Sequence, residues 1–190
     1  MFIQTEETPN PMTLKFMPGR DVMGDAPPAD FPNSAAAENS PLAQTLFKVQ
    51  HVSSVFLGRD FITVTKGDAE WQHVKPNVLT AIMDFFVSGL PVMNADAVLS
   101  ETSEHADVAG EGSDAEVITI IKQLLDTRVR PAVAQDGGDI VFHNYEEGVV
   151  FLEMRGACAG CPSSTATLKQ GVENLLKHFC PVVTEVRAVE

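Results

Sequence analysis

Two cysteines in the second half of the chain are the side chains best suited to chemistry. Cys158 and Cys161 form a Cys-x-x-Cys motif within the stretch Gly-Ala-Cys-Ala-Gly-Cys-Pro-Ser-Ser, residues 156–164. The chain has three cysteines in total, and the third is Cys180. Two thiols at this spacing can bind a soft metal or form a disulfide. The functional question is therefore which of these two uses the surrounding elements favour.

The residues around the motif favour an exposed, anionic ligand site. A helix is predicted to begin near Ser163, and the free N–H groups at a helix N-terminus stabilise thiolates. Gly156 and Gly160 allow the backbone to bend closely around a bulky group, and Arg155 adds a positive charge nearby. We therefore expect the two cysteines to be exposed and reactive rather than buried and inert.

One copy of the chain supplies too few ligands for a closed metal site. A structural zinc ion and a [4Fe–4S] cluster each take four ligands. Cys180 and His178 could complete a zinc site, but they follow a predicted helix of about 16 residues and so lie roughly 24 Å from the motif. Two copies of the chain supply four thiolates at one place. Ligand counting thus predicts a homodimer that shares one cluster through Cys158 and Cys161.

A redox-active dithiol is the alternative that needs no second chain. Such a motif usually accompanies a thioredoxin-like βαβ unit. The strand before Cys158 is predicted to belong to a hairpin, and no parallel crossover is expected in this half of the chain. The sequence therefore favours metal binding, with a thiol–disulfide oxidoreductase that uses the Cys158/Cys161 dithiol as the alternative. Chance burial of both cysteines in a core is the purely structural interpretation.

Composition divides the chain near its middle. Between Pro91 and Glu116 there are seven acidic residues and no lysine or arginine, which is typical of a flexible linker. We expect an N-terminal domain over residues 1–90, an acidic linker over 91–113 and a C-terminal cluster-binding domain over 114–190. Each domain is predicted to be a small α+β unit with helices packed on one face of a small sheet.

In the first domain, strand-like runs and helical periodicity alternate. Residues 25–39 are rich in Ala, Pro and Asp and are predicted to form a loop. Ser40 and Pro41 are predicted to cap and open the first helix. The predicted strands are residues 2–6, 14–17, 52–57 and 61–65, and the predicted helices are residues 42–49 and 71–87. The core face of the second helix is predicted to comprise Val74, Val78, Ile82 and Phe85.

The second domain is predicted to run helix, strand, strand, helix, strand. Ser113 and Glu116 have the spacing of a capping box, and Pro131 is expected to kink or end the first helix. Asp136 and Asp139 are predicted to hold the turn between them through side-chain to backbone hydrogen bonds. The predicted elements are residues 113–129, 140–143, 149–154, 163–179 and 182–189. The core face of the second helix is predicted to comprise Leu168, Val172, Leu175, Leu176 and Phe179.

Charge and hydropathy exclude several classes of function. The net charge of -13 repels phosphate backbones, so no nucleic-acid partner is expected. No apolar run approaches the roughly 18 to 20 residues that cross a bilayer, so no membrane partner is expected. The first residues lack the basic and apolar regions of a secretory signal. We expect a cytoplasmic bacterial protein, or a mitochondrial matrix protein if the chain is a mature organelle form.

Three stretches resemble the Nfu family of iron–sulfur proteins. Residues 130–139 (Arg-Pro-x-x-x-x-Asp-Gly-Gly-Asp) and residues 152–164 (Leu-x-x-x-Gly-x-Cys-x-x-Cys-Pro-Ser-Ser) resemble its NifU-like C-terminal domain. The opening, residues 1–11 (Met-Phe-Ile-Gln-Thr-Glu-x-Thr-Pro-Asn-Pro), resembles its N-terminal domain. The resemblance implies a non-enzymatic carrier that assembles or receives a [4Fe–4S] cluster from upstream donors and passes it to apo-proteins. It also implies that Cys158 and Cys161 of each of two subunits are the ligands.

Overall fold

The structure is a computed structural model that describes residues 2–94, 113–159 and 162–189. The chain divides into two compact units, Met1–Ser103 and Glu104–Glu190. Each unit has one sheet and its own helices, so the predicted α+β class is confirmed. Most of the predicted acidic linker lies outside the described residues. Within those residues, no helix is both long and apolar enough to cross a membrane.

The N-terminal unit is a five-stranded antiparallel sheet with the strand order β1-β2-β5-β4-β3. A 3-10 helix at Ser34–Asn39 follows β3. The strands are β1 Gln4–Glu7, β2 Thr13–Met17, β3 Ala29–Phe31, β4 Val52–Leu57 and β5 Ile62–Lys66, and the helices are α1 Pro41–Phe47 and α2 Trp71–Ser88.

The core of this unit lies between one sheet face and the two α-helices. Alternate residues of the central strands point into it, among them Leu14 and Phe16 of β2 and Ile62 of β5. Helix α1 begins as predicted, because the Ser40 hydroxyl oxygen accepts a hydrogen bond from the N–H of Ala43 at 3.1 Å. The predicted core residues of α2 are all buried: Val74, Val78, Ile82 and Phe85.

The prediction of a loop over residues 25–39 is wrong. Strand β3 lies in this stretch and pairs with β4 at the sheet edge. The 3-10 helix follows, and the side chain of Asn33 caps it by accepting a hydrogen bond from the N–H of Ala36 at 3.0 Å. A three-residue strand is too short to show a sequence period, and a polar cap is indistinguishable from a turn residue in sequence.

The C-terminal unit is a three-stranded sheet with the strand order β6-β7-β8. Strands β6 and β7 form the predicted hairpin, and its tight turn at Glu147 and Gly148 has positive φ at both positions. The elements are α3 Ser113–Leu124, a π-helical segment Leu125–Val129, α4 Arg130–Gln135, β6 Gly138–Glu146, β7 Val149–Gly156, α5 Pro162–Phe179 and β8 Glu185–Val189.

Strand β8 pairs with β7 in parallel, which contradicts the expectation that this half contains no parallel crossover. The unit β7-α5-β8 is therefore a βαβ crossover, and the turn carrying the cysteines connects its first strand to its helix. Val186 of β8 lies opposite Val150 of β7, and both are fully buried. With this unit present, the fold no longer disfavours a redox dithiol.

The first helix of this unit continues past Pro131 instead of ending there. A π-helical segment precedes the proline, and Pro131 occupies the first turn of α4, where its missing N–H is tolerated. Residues at a constant spacing of four stay buried along the whole run: Ile121, Leu125, Val129 and Val133. The predicted capping box depends on the Ser113 side chain, which lies outside the described part of the structure.

Helix α5 covers the same sheet face through most of its predicted core stripe. Val172 and Leu176 are buried, and Leu168 and Leu175 pack against the core while partly exposed. The prediction for Phe179 is wrong, because this last residue of the helix is 45% exposed. The ring of Phe179 instead lies 5.0 Å from the Arg128 guanidinium, at the surface.

Candidate functional site

The turn between β7 and α5 carries the first motif cysteine. Gly156 ends β7 with a φ of 63°, a left-handed conformation that favours glycine. The N–H of Ala157 donates to the carbonyl of Gly137 at 3.1 Å, which ties the turn to the start of β6. Gly160 and Cys161 lie outside the described residues, so the prediction that Cys161 is a ligand stays a prediction.

Cys158 is buried, with 7% of its surface exposed, and the expectation of an exposed thiol is wrong for this cysteine. Its sulfur packs directly against the backbone of Gly138. A Cβ atom placed on Gly138 would lie 2.5 Å from Cys158 Sγ and 2.8 Å from the Arg155 carbonyl oxygen. The absent side chain of Gly138 therefore creates the space that the thiol fills. We call this contact of Cys158 with Gly138 the thiol seat.

A side chain from α5 also holds the cysteine turn. The hydroxyl of Thr165 donates a hydrogen bond to the backbone carbonyl of Cys158 at 3.0 Å. Thr165 lies in the first turns of the helix, so this bond connects the helix start to the turn before it. Sequence reasoning missed Thr165, because a threonine near a helix start is common and nothing in its spacing singles it out.

The electrostatic surroundings keep the seated thiol neutral. Burial, together with the negative charges of Asp136 and Asp139, raises the pKa of Cys158 to about 12. Arg155 does not offset these carboxylates, because its guanidinium pairs with Glu153 at 2.9 Å. Arg155 therefore does not provide the predicted stabilisation of a thiolate while the thiol of Cys158 is seated.

The start of β6 is fixed by an ion pair that spans the Arg-Pro…Asp-Gly-Gly-Asp stretch. Arg130 donates two hydrogen bonds of 2.8 Å each to the carboxylate of Asp139, which also accepts the N–H of Ile140 at 2.8 Å. The bond to Asp139 raises the pKa of Arg130. Because Ile140 lies in β6, this bond is not one within the turn between Asp136 and Asp139, and the prediction that the two aspartates hold that turn stays a prediction. The ion pair was missed, although its partners stand at the two ends of one motif.

We expect the substitution Gly138→Ala to destabilise the C-terminal unit by about 1–3 kcal/mol, the usual cost of inserting an atom into a packed site. The new Cβ would press on the sulfur of Cys158 and also on backbone atoms, which cannot rotate away. Urea unfolding of the full chain followed by circular dichroism measures the change.

Gly171 provides the matched control for this substitution. It lies in α5, and a Cβ atom added there meets nothing within 4 Å. Gly171→Ala should leave stability unchanged or raise it by up to about 1 kcal/mol, since alanine favours the helix. Equal unfolding curves for the two variants would contradict the close packing at Gly138.

The third cysteine lies in the core of the same unit. Cys180 is 4% exposed, and burial raises its pKa. His178, the other residue considered for a zinc site, stacks edge-on against Phe179 with ring centroids 4.9 Å apart. Across residues 2–94, 113–159 and 162–189, no three His, Cys, Asp or Glu side chains are grouped so as to hold a metal ion.

Both halves of the chain match known protein families. Residues 3–89 match the family described as "Scaffold protein Nfu/NifU N terminal". Residues 121–187 match the family described as "NifU-like domain". The second match includes the Arg130–Asp139 ion pair, the thiol seat and the Cys-x-x-Cys motif.

Proteins from flies are similar to this chain along its whole length. The proteins named "NFU1 iron-sulfur cluster scaffold homolog, mitochondrial" from Drosophila sechellia and Drosophila simulans are 53% and 52% identical to this chain over 190 residues. These alignments cover 100% of this chain and 65% of each fly protein, so the chain spans less than two thirds of their length.

A solved NifU-like protein from Saccharomyces cerevisiae is 25% identical, with a TM-score of 0.45, over 50% of this chain and 86% of that chain. With an Nfu N-terminal domain followed by a NifU-like domain, the chain belongs to the Nfu/NifU family.

Proposed function

We propose that this protein is a non-enzymatic carrier of an iron–sulfur cluster, which it receives from a donor and passes to apo-proteins. The observation that carries the proposal is the Cys-x-x-Cys turn at the junction of β7 and α5, within a domain of the Nfu/NifU family. Relatives more than 50% identical to the chain are named iron–sulfur cluster scaffold homologs, which supports the same role.

The cluster is proposed to be of the [4Fe–4S] type and to be shared between two copies of the chain. Such a cluster takes four thiolates, and one copy offers Cys158 and Cys161. The third cysteine is an unsuitable ligand, because Cys180 follows the far end of α5, an 18-residue helix about 27 Å long that begins just after the motif. A symmetric homodimer supplies the missing pair. Transfer is then a ligand exchange in which recipient thiolates replace the carrier's thiolates on iron, with no change of oxidation state.

Compartment and domain boundaries belong to the same proposal. The names of the fly relatives include the word mitochondrial, which supports the second of the two expected compartments, the mitochondrial matrix, over the bacterial cytoplasm. We propose domain boundaries at residues 1–90, 91–113 and 114–190, a division that the two separate family matches, 3–89 and 121–187, support. The N-terminal unit, which contains no cysteine, is proposed to select recipients.

Anaerobic reconstitution tests the carrier function. Reduced protein incubated with ferrous iron and sulfide should become brown and should bind about four iron atoms and four sulfides per two chains. Gel filtration of the loaded protein should show the mass of a dimer. A colourless product after reconstitution would rule out the carrier function, and a loaded monomer would rule out the shared cluster.

A thiol–disulfide oxidoreductase is the second candidate, and the parallel β7-α5-β8 crossover favours it. The raised pKa of Cys158 disfavours it, because the attacking species in disulfide exchange is a thiolate. Reduction of insulin disulfides by the cluster-free protein discriminates between the two. Rapid turnover in that assay, together with failure of reconstitution, would establish the oxidoreductase.

A further inference from the structure

The thiol seat and cluster ligation are mutually exclusive positions of Cys158. In the seat, the sulfur of Cys158 packs against Gly138, and only 7% of the residue's surface is exposed. A cluster shared between two subunits has to be reached from the surface of each subunit. The thiol of Cys158 must therefore leave the seat when it binds iron and can return to the seat when it releases iron.

Among the described residues, hydrogen bonds at Ala157 and at Cys158 hold this part of the turn inward. One joins the backbone N–H of Ala157 to the carbonyl of Gly137 at 3.1 Å, and it forms in any sequence that adopts this turn. The other joins the hydroxyl of Thr165 to the carbonyl of Cys158 at 3.0 Å, and it requires a hydroxyl-bearing side chain at position 165. Because this second bond acts on the backbone of the ligand residue itself, it ties the position of the thiol to the start of α5.

We propose that Thr165 is a positioning residue that latches Cys158 in the thiol seat and thereby opposes cluster ligation. The proposal rests on the proposed carrier function and adds a device that regulates it. The latch shields the free thiol from oxidants and disulfide formation before loading. After loading, it favours release, because the seat competes with iron for Cys158. The exchange is redox-neutral: the bond from iron to Cys158 breaks, a recipient thiol loses its proton and bonds to iron as a thiolate, and that proton is balanced by the one that the released Cys158 takes up.

Alkylation of the cluster-free protein tests the latch directly. Reduced, iron-free full-length protein is treated with iodoacetamide, and modification of Cys158 and Cys180 is followed separately by peptide mass spectrometry. Thr165→Val keeps the size of the side chain and removes the hydroxyl, so Cys158 should react about five-fold faster, as expected for loss of one hydrogen bond. Thr165→Ser keeps the hydroxyl and should react at the wild-type rate.

Cys180 is the internal control for general loosening of the unit, because it is buried in the same core at 4% exposure. Its alkylation rate should be identical in all three proteins. Equal rates at Cys158 in the wild type and Thr165→Val would overturn the latch. Parallel acceleration at Cys180 would also overturn it, since the opening would then be unfolding of the whole unit.

A second measurement follows the loaded state. After reconstitution, loss of the cluster to a chelator should be about five-fold slower in Thr165→Val than in the wild type and unchanged in Thr165→Ser. Faster loss from the valine variant would contradict a seat that competes with iron. Failure of the wild type to reconstitute would refute the carrier function, whereas the alkylation rates would still decide whether Thr165 latches the thiol.

Discussion

Full-length protein with Cys158→Ala or Cys161→Ala is expected to stay colourless on anaerobic reconstitution and to retain no iron or sulfide after desalting. Each substitution removes two of the four thiolates from the proposed dimeric site, because the change is present in both copies. Two remaining thiolates do not complete the coordination of a [4Fe–4S] cluster. Iron and sulfide analysis, together with the visible absorption spectrum, gives the result.

Cys180→Ala is the matched control, because it removes a cysteine of the same unit. Cys180 is buried in the core, so its substitution should cost stability of about 1 kcal/mol and leave the cluster content unchanged. Retention of the cluster in either motif variant, or its loss in Cys180→Ala with the fold intact, would refute the assignment of ligands. Unchanged delivery to recipients by the motif variants would instead point to a pure interaction adaptor.

The substitution Arg130→Gln is expected to destabilise the C-terminal unit by about 2–3 kcal/mol, because it leaves the carboxylate of Asp139 buried without its charge partner. Side-chain exposure is 7% for Asp139 and 28% for Arg130, so solvent screening places the cost below that of a fully buried pair. Since Asp139 directly follows Gly138, which forms the thiol seat, Cys158 should also become more reactive toward iodoacetamide. Urea unfolding and the alkylation rate report the two effects.

A second substitution separates the lost charge pairing from lost packing. The double variant Arg130→Gln/Asp139→Asn leaves no buried carboxylate unpaired, since Asp126, the other partner of Arg130, is 54% exposed. It should therefore recover most of the stability. Arg187→Gln removes an arginine from an exposed pair with Glu185 and should leave the unfolding curve unchanged. If the double variant is less stable than Arg130→Gln alone, the loss of stability in Arg130→Gln does not arise from the unpaired carboxylate of Asp139.

Sequence periodicity predicted the elements whose burial follows one clear period. Helix α2 has apolar residues at helical spacing, and each of the four predicted core positions is buried. Strand β7 alternates between partly exposed and buried residues over its first seven positions, and its residues 149–154 lie in a predicted strand. Where the local sequence pattern agrees with the tertiary packing, the pattern is sufficient to predict the element and its buried face.

Sequence periodicity does not predict which strand of the hairpin pairs with β8. The order helix, strand, strand, helix, strand is compatible with a last strand beside either member of the hairpin. Strand β8 joins β7 rather than β6, which places Val186 against the core under α5. That choice depends on how α5 crosses the sheet, a property of the packed unit rather than of residues 182–189.

The burial of Cys158 shows a second limit of local reasoning. The glycines, the helix start and Arg155 all lie within a few residues of the motif and favoured an exposed thiolate. The decisive residue, Gly138, lies 20 positions earlier in the chain and acts through the side chain it lacks. The Asp-Gly-Gly-Asp stretch predicts a turn. The packed hairpin shows that Gly138 of this stretch also forms the thiol seat.

The π-helical segment at Leu125–Val129 fixes the number of residues that this part of the chain can contain. In an ideal α-helix, residues spaced by four drift about 40° per step, so four successive positions would wind away from one face. The wider π turn absorbs that drift for Ile121, Leu125, Val129 and Val133. Deleting one residue here would rotate all preceding positions by about 100° relative to Arg130, which must meet Asp139. Across homologous chains, this segment should accept changes of residue type but neither insertions nor deletions, a constraint on alignment gaps that substitution patterns alone would not show.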